Sequence, residues 1–525
     1  MGLDVQTDTD SEADNLVPVH GGFERTMRET IWKSFALLAI AILLSPHSCH
    51  RSSHTPSSNR PTKQPGFHSQ RVEQRMGVYL KNRRIGSSFL QLETLSPSDP
   101  DPQQAFFYRF REESSLEELT ITLTAQLRAD FSLGRFEFLS EGAEPATARF
   151  LCHGEVKGTN LEIAVETAGV TRTQSLLLTE PCYLASAAHF PICLKAWTPG
   201  AEYPLQVFDP LSQDLGPMVV KIGQRSQKKA LGRPQEATEI HLTYQGVEQT
   251  SWITDDGLRL EDVALGGAIV AKLETEQASQ HTPLGTAALM EWLADEYKID
   301  VEGRIPRPRQ CRRLVIELTG IASESVPVDG FWQRQRARRE KDTPTFQIEI
   351  GRNPAFTGIE AGTDALASTL LIQSDAEVIR KTAEELIQGA SSDREKTARL
   401  CHGVFVRLDR SAFRATIPSA VEVLQSGKGD CNEHAVLFAA LARAVGVPTR
   451  VCAGVVYFQG AFHYHAWNEV FLLGSGWTPV DTTLDQLPAD ATHLKLAEGG
   501  LSNQAQVLNT FGKLRAKIVQ VEYEE

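Results

Sequence analysis

Alternating apolar and polar positions dominate the chain from Met76 to about Leu273. Runs such as 78–80 and 85–92 alternate, and turn residues separate one run from the next. Side chains of a strand point in turn to the two faces of a sheet, so this period of two predicts short, mostly antiparallel strands. We interpret residues 76–280 as β-rich. Two loosely similar strand–turn–strand segments leave open whether this region is one sheet unit or two related ones; they cover 120–133 and 240–258.

The pattern changes after residue 280. Apolar positions at helical spacing predict a helical connector over residues 281–300, and the prolines of the segment 305–308 prevent the helix from continuing. Further strand-like runs predict a small β unit over residues 301–360. A basic cluster in this unit is expected at a solvated hairpin tip, with binding of an acidic partner as the alternative. The cluster consists of Arg334, Arg336, Arg338, Arg339 and Lys341.

The beginning of the chain has the pattern of an export signal. Residues 1–26 are polar and acidic, whereas residues 35–44 are ten consecutive apolar residues. Ten residues are too few to span a bilayer, which needs about 20. An apolar core of this length, preceded by Arg28 and Lys33, is typical of a signal peptide, and it indicates Met27 as the natural start.

Residues 1–48 are therefore predicted to be a signal peptide or, if uncleaved, a membrane anchor that attaches through residues 31–48. A buried helix of a cytosolic domain is the alternative. Residues 49–75 are rich in Ser, Pro, His and Arg and predict a flexible linker. The expected location is outside the cytoplasm, in the cell envelope or periplasm. The pattern does not indicate an oligomeric state.

Composition narrows the class of protein. Apolar residues make up 41% and charged residues 23% of the chain, which is ordinary for a globular protein with several cores. The formal net charge of −13 disfavours a nucleic-acid partner. Eight cysteines among 525 residues, without a C-x-x-C pair, indicate neither a disulfide scaffold nor a zinc ribbon.

The last 160 residues contain three helical patterns. Two of them cover residues 375–388 and 393–408. The third pattern begins after Asp430 and ends at Gly446. Glu433 follows Asp430 by three residues, which is the spacing of a capping box.

The third helix is expected to be buried, because residues 435–442 are apolar on every face. Cys431 then lies in its first turn, where unpaired N–H groups and the helix dipole favour the thiolate that attacks carbonyl groups. Asp430 and Glu433 oppose that effect. A cationic partner is therefore required.

Two strand patterns after this helix supply the partner. His465 is expected at the start of the second strand, and a turn at 474–476 then returns the chain so that Asp481 lies within two or three residues of His465. Each residue alone is more often structural; a lone cysteine in such a helix is usually a core thiol. Together, Cys431, His465 and Asp481 have the composition of a nucleophile–base–carboxylate triad.

The motifs around these residues resemble the core of the transglutaminase-like superfamily. They are GDCNEHAVLF at 429–438, RAVGVPTR at 443–450, Gly454, HAWNEV at 465–470 and WTPVDT at 477–482. The resemblance implies an α+β fold with a papain-like core over residues 361–525, preceded by largely antiparallel β domains. It also implies a Cys431–His465–Asp481 triad and an exported bacterial protein.

The resemblance also reaches the segment Asp490-Ala-Thr-His493, which is similar to one located just after the core in a bacterial subgroup, although it assigns no role to it. No segment of the sequence matches the calcium sites of animal cross-linking enzymes, so no metal and no cofactor is expected. The Cys431 backbone N–H is one candidate oxyanion donor. Tyr464, Trp467 and Asn468 are nearby in sequence, but none is assigned as the second donor.

The triad and the resemblance together predict thiol-dependent acyl transfer or hydrolysis on amide side chains or peptide bonds of a protein or peptide substrate. Water and an amine both remain open as acyl acceptors, and water is the simpler one. The alternative is a non-catalytic envelope scaffold or binding protein that keeps the fold, because the family includes inactive members and fold does not settle reaction.

Export can be tested with a fusion of residues 1–70 to a reporter that is active only outside the cytoplasm. We expect an active reporter, because the apolar run and its basic flank have the features of a signal peptide. A fusion without residues 27–48 is the control. A fusion that is stably expressed and silent would contradict the prediction.

Overall fold

The computed structural model describes most of the chain beyond residue 70. The described residues are 71–95, 104–114, 119–142, 149–167, 169–244, 246–279, 298–321, 330–339, 344–353, 361–409, 418–500, 507 and 510–523. The predicted signal or anchor (1–48), residues 49–70 of the predicted linker (49–75) and most of the connector (281–300) lie outside them. Residues 71–75 are already part of a strand, so the linker prediction is wrong for these five residues. No helix among the described residues combines the length and apolar character needed to cross a membrane.

Residues 71–273 form one continuous sheet of fifteen strands. Strands β1 and β15 pair with each other in the middle, and each half continues outward as a meander to β8 on one side and β9 on the other. All pairs are antiparallel except β9 with β10. The strands are β1 Arg71–Leu80, β2 Arg83–Thr94, β3 Gln104–Ser114, β4 Thr120–Arg128, β5 Leu133–Glu141, β6 Arg149–Lys157, β7 Asn160–Thr167, β8 Val170–Leu177, β9 Cys182–Leu184, β10 Glu202–Asp209, β11 Asp214–Ala230, β12 Arg233–Tyr244, β13 Val247–Ile253, β14 Arg259–Ala264 and β15 Ile269–Leu273.

The period of two in the sequence explains this sheet. In β4, Ile121, Leu123, Ala125 and Leu127 are buried, whereas the residues between them are only partly covered. Such alternation is what one buried and one open face require. The prediction of a largely antiparallel region is thus confirmed.

A second sheet has five strands in the order β16, β24, β17, β19 and β18. The strands are β16 Val301–Glu302, β17 Cys311–Thr319, β18 Gln333–Arg339, β19 Thr345–Ile350 and β24 Arg515–Tyr523. The last strand of the chain is thus an inner strand here, between β16 and β17. The small β unit and the C-terminal part of the chain are joined by this pairing.

The described part of the basic cluster lies along strand β18, which pairs with β19 as a hairpin, and Arg336, Arg338 and Arg339 are exposed there as expected. Arg334 and Arg336 contact the carboxylate of Glu349 at 2.9 and 3.2 Å, and the Arg338 guanidinium lies 5.5 Å from the ring centre of Phe346. Pairing across the sheet to the nearly buried Glu349 carboxylate accounts for Arg334 and Arg336. Lys341 lies outside the described residues.

The C-terminal part packs helices on a four-stranded antiparallel sheet of order β22, β21, β20 and β23. Its strands are β20 Thr449–Phe458, β21 Ala461–Leu472, β22 Gly476–Val480 and β23 His493–Glu498. The helices are α2 Glu377–Leu386, α3 Asp393–Arg407, α4 Ala420–Ser426 and α5 Cys431–Ala444, and a short helix α1, Glu276–Ser279, comes after the first sheet. Helix α5 contacts the other three C-terminal helices and strands β20 and β21.

Two hydrophobic cores hold these parts together. One continuous cluster includes residues of all three sheets, among them Phe136, Ile316 and Val455. The other lies between the C-terminal helices and sheet and includes Leu437 of α5 and Val470 of β21. Helix α5 is buried over residues 435 and 437–442, as its apolar composition predicts.

Gly454 on β20 allows a close contact that this sheet requires. A Cβ atom there would lie 2.0 Å from the Leu494 carbonyl oxygen and 2.9 Å from the Trp467 ring. We expect Gly454→Ala to lower the free energy of unfolding of the C-terminal domain by roughly 2–3 kcal/mol, because backbone must shift. Urea unfolding followed by tryptophan fluorescence measures it. Gly362→Ala is the control, because its Cβ would meet nothing within 4 Å. Equal effects of the two changes would contradict the prediction.

Candidate active site

The predicted cap places Cys431 at the first residue of α5. The Asp430 carboxylate accepts a hydrogen bond from the Asn432 N–H at 2.9 Å, and the Glu433 carboxylate accepts one from the Asp430 N–H at 2.7 Å. The capping box is therefore present. It fixes where the helix begins.

The sequence pattern predicted His465 at the start of a strand, but His465 lies inside strand β21. The strand begins at Ala461, directly after the two-residue turn Gln459-Gly460, whose φ angles are 48° and 89°. This turn lets residues 461–464, which come before His465, pair with β20. His465 pairs with Gly454. Its backbone is therefore held in the sheet by β20, whereas the pairing with β22 begins only at Asn468.

Asp481 comes directly after strand β22 and approaches His465 by the predicted turn. The register pairs Asn468 with Val480, so Asp481 comes one position later. The Asp481 Oδ2 atom lies 2.8 Å from His465 Nε2, and Oδ1 accepts a hydrogen bond from the Thr483 N–H at 2.7 Å. Both His465 and Asp481 are fully buried.

The Asp481 carboxylate is ionised despite its burial. Burial alone would raise its pKa, but two histidines, His465 and His493, outweigh that effect and hold the pKa well below the usual value. The carboxylate is therefore a fixed negative charge at the centre of the site.

The Cys431 thiol is enclosed. It packs with Ala435, Ala439 and Val451 and is 0% exposed, and Ile372 packs against this cluster. Burial is the main reason that the pKa of the thiol lies well above its ordinary value, and Asp430 raises it further; a hydrogen bond from the Ala466 N–H acts in the opposite direction. This direction is opposite to the one expected from the helix terminus alone.

A thiol with a raised pKa needs a nearby proton acceptor to become a thiolate. His465 offers such an acceptor in its Nδ1 atom. Its Nε2 faces Asp481, whereas its buried Nδ1 has no hydrogen-bond partner among the described residues. His465 directly precedes Ala466, whose N–H contacts the sulfur of Cys431. If the Nε2 carries the proton toward Asp481, the lone pair on Nδ1 is available to accept one.

Sequence reasoning missed a second histidine on the same carboxylate. His493, at the start of β23, lies with Nε2 3.0 Å from Asp481 Oδ2. Asp490 precedes it, and Arg309 Nη1 lies 2.8 Å from Asp490 Oδ2. The only hint of His493 in the sequence was the similarity of residues 490–493 to a segment of the family, to which no role was assigned. No local pattern could have indicated Arg309, which lies over a hundred residues earlier, just before β17.

The residues considered as oxyanion donors have other contacts. The Tyr464 hydroxyl lies 2.9 Å from Thr510 Oγ1, and Asn468 Nδ2 donates to the Ala435 carbonyl at 3.0 Å, which ties β21 to α5. The Trp467 ring packs against both histidines, with centroid distances of 6.2 Å to His465 and 5.3 Å to His493. Trp467 is thus a packing residue.

Within the described part of the chain, His465, Asp481 and His493 place possible ligand atoms within 4.8 Å of one another, which is close enough for one metal ion. Two imidazole nitrogens and a carboxylate oxygen would also suit zinc. Both nitrogens, however, face the same carboxylate oxygen at hydrogen-bond distance, so a metal would have to replace the protons between them. Hydrogen bonds account for this cluster, and we assign no metal to it.

Comparison with protein families identifies this part of the chain. Residues 380–482 match the model of the transglutaminase-like superfamily. The matched segment contains Cys431, His465 and Asp481. The chain is therefore a strand-rich protein with a transglutaminase-like domain toward its C-terminus. The resemblance drawn from the sequence motifs is confirmed.

Individual proteins are similar over parts of the chain. A protein of Haemophilus influenzae, described as uncharacterized, is 31% identical over 160 residues, which cover 25% of this chain and 41% of that protein. The chain thus spans less than half the length of this relative. A solved structure from Cytophaga hutchinsonii, provisionally assigned as a cysteine protease, is 14% identical, covers 43% of this chain and 86% of its own, and has a TM-score of 0.27. One from Parabacteroides distasonis, provisionally assigned as a protease, is 11% identical, covers 70% of both chains and has a TM-score of 0.18.

Ile372 is expected to limit access to Cys431. Ile372→Ala should accelerate alkylation of Cys431 by iodoacetamide about tenfold, because losing about 1.4 kcal/mol of packing makes opening tenfold more frequent. The rate is read by mass spectrometry of the Cys431 peptide. Val378→Ala, which shortens an exposed side chain on α2, is the control. An unchanged rate in Ile372→Ala would mean that Ile372 does not control access.

Proposed function

We propose that the C-terminal domain catalyses thiol-dependent acyl transfer or hydrolysis, on an α+β, papain-like core. Cys431 is the nucleophile, His465 the base and then the acid, and Asp481 the carboxylate that orients the imidazole. The observation that carries the proposal is the state of His465. One ring nitrogen is bound to an ionised, buried carboxylate, and the other has no partner in the described structure.

The first half of the reaction forms a thioester. His465 Nδ1 takes the proton of the Cys431 thiol, and the resulting thiolate attacks the carbonyl carbon of an amide to form a C–S bond. His465 then returns the proton to the nitrogen of the leaving group as the C–N bond breaks, and ammonia or an amine departs. The backbone N–H of Cys431 is a candidate donor to the developing oxyanion.

The second half releases the acyl group. Water or an amine attacks the thioester carbonyl and gives its proton to His465. The C–S bond breaks, and His465 returns that proton to the Cys431 sulfur. Hydrolysis yields a carboxylic acid, whereas an amine yields a new amide. Asp481 keeps the proton of neutral His465 on Nε2 throughout, so that Nδ1 remains the reacting atom.

The substrate class is an amide side chain or peptide bond of a protein or peptide. We further propose that the chain works outside the cytoplasm, in the envelope or periplasm, on the pattern of residues 27–48. Water is the simpler acceptor, since no segment of the sequence identifies an amine-binding site.

A second candidate function is a non-catalytic binding or scaffold domain. Complete burial favours it, because Cys431, His465 and Asp481 are each 0% exposed. Iodoacetamide labelling of the folded protein distinguishes the two. Faster labelling of Cys431 than of the buried thiols Cys401 and Cys452 near neutral pH supports the enzyme, and equal inertness supports the scaffold.

Replacing the nucleophile gives a direct test. Cys431→Ser should abolish activity without loss of stability, because serine is nearly isosteric but its hydroxyl does not ionise in this pH range. Release of ammonia or amine from a casein or peptide mixture measures turnover, and Cys401→Ser is the matched control. Full activity of Cys431→Ser would eliminate this nucleophile.

Asp481→Asn tests the orienting carboxylate. We expect acylation to slow by about 10- to 1000-fold, less than the roughly 10⁴-fold loss in a serine triad, because a thiol ionises more readily than a hydroxyl. His465→Ala should cost more. Single-turnover acylation measures both. A rate for folded Asp481→Asn within twofold of wild type would remove Asp481 from the triad.

A further inference from the structure

The hydrogen bonds of His493 define its charge. Nε2 lies 3.0 Å from Asp481 Oδ2, and Nδ1 lies 2.9 Å from the carbonyl oxygen of Asp490. A carbonyl oxygen and an ionised carboxylate only accept hydrogen bonds, so each ring nitrogen must carry a proton. His493 is therefore an imidazolium, although its side chain is only 2% exposed.

The surroundings of His493 support this charge. Asp490 Oδ1 lies 3.5 Å from Nδ1, so a carboxylate flanks the ring on each side. Burial would lower the pKa of His493, but Asp490 and Asp481 raise it to about 9, and the pKa of Asp490 is lowered to about 2, with His493 and Arg309 outweighing its burial. Charges of alternating sign thus run from Arg309 through Asp490 and His493 to Asp481.

The remaining charged groups near His493 are paired with each other. A cavity of about 20 Å³, room for about one water molecule, is lined by His493, Trp467, Glu469 and Lys495, among others. Lys495 Nζ lies 2.9 Å from Glu469, which also binds Arg450. Lys495, Glu469 and Arg450 therefore contribute no unpaired charge near the His493 ring.

Two imidazoles compete for one carboxylate oxygen. His465 and His493 both contact Asp481 Oδ2, and their ring centres are 5.8 Å apart. A positive charge at that distance disfavours a second positive charge on His465 and favours a thiolate nearby. His493 thus acts on the base through Asp481 and through space.

We infer that His493 is a positioning residue for the proposed reaction: a buried cation that shares the Asp481 carboxylate with His465 and sets the pH range in which the Cys431–His465 pair works. The inference rests on the proposed function. It extends the site to β23 and, through Asp490, to Arg309, which lies outside the segment matched by the family.

Removing the cation has a predictable sign. Without it, Asp481 is neutralised less, so His465 holds its proton more tightly, and the thiolate of Cys431 is stabilised less. The rise of thiolate reactivity with pH should therefore move to higher pH, by about one to two units for a charge at this separation. Loss of a merely structural hydrogen bond would lower the rate at every pH without moving this rise.

The experiment compares His493→Gln with His493→Lys. Glutamine keeps an N–H donor but removes the positive charge, whereas lysine keeps both an N–H donor and the positive charge. The pH dependence of Cys431 alkylation by iodoacetamide is measured in the full chain, with EDTA present to exclude metal ions, and His465→Ala identifies the part that depends on the base. We expect the alkaline shift in His493→Gln and a profile within half a unit of wild type in His493→Lys.

His402→Gln is the matched control, because His402 also pairs with an aspartate, Asp485, at 2.8 Å, but is largely exposed. Its profile should not change. A His493→Gln profile that coincides with wild type, while His465→Ala still abolishes the pH dependence, overturns the inference and leaves the proposed function intact. A Cys431 that is inert in wild type and indifferent to His465→Ala overturns both.

A measurement on the wild-type protein covers the case in which neither variant folds. Nitrogen-15 NMR of the histidine side chains should reveal at least one ring that keeps both protons up to about pH 9, well above ordinary histidine. If every histidine has lost a ring proton by pH 8, the inference is wrong.

Discussion

The site depends on one buried carboxylate. Asp481 has no exposed surface, and an unpaired charge in that position would be strongly unfavourable. Three donors stabilise it: the His465 and His493 rings on Oδ2 and the Thr483 N–H on Oδ1. These donors come from β21, from β23 and from the chain just after β22, so the whole four-stranded sheet must be in register before the charge is satisfied.

Backbone features supply that register. The two-residue turn before Ala461 aligns β20 with β21, and the missing side chain at Gly454 lets β23 and the Trp467 ring approach β20. The capping box at Asp430 starts α5 at Cys431, and Asn468 ties that helix to β21. The thiol and its neighbour Ala466 meet because the helix start and the strand are each fixed independently.

Local chemistry made much of this predictable from sequence. Period-two alternation gave the large antiparallel region, and the Asp430–Glu433 spacing gave the first residue of α5. The turn at 474–476 brought Asp481 toward His465 with an uncertainty of a few residues. Burial of α5 was predictable from its composition, but burial of the Cys431 thiol, which raises its pKa, was not, because the cluster around it includes residues distant in sequence, such as Val451. Arg309 and the inner position of β24 depend on long-range pairing, which has no local signature.

The large sheet takes part in enclosing the nucleophile. Ile372 lies against the Cys431 cluster, and the nearby Asp375 is bound to the edge strand β8, where Arg172 lies 2.8 Å from it. The Ser419 cap of α4 is bound to the same edge, with Thr167 Oγ1 3.1 Å from Ser419 Oγ. The segment that packs against the Cys431 cluster is therefore tied to the large sheet by an ion pair and by a hydrogen bond next to α4. The β-rich half contributes to the environment of the thiol through these contacts.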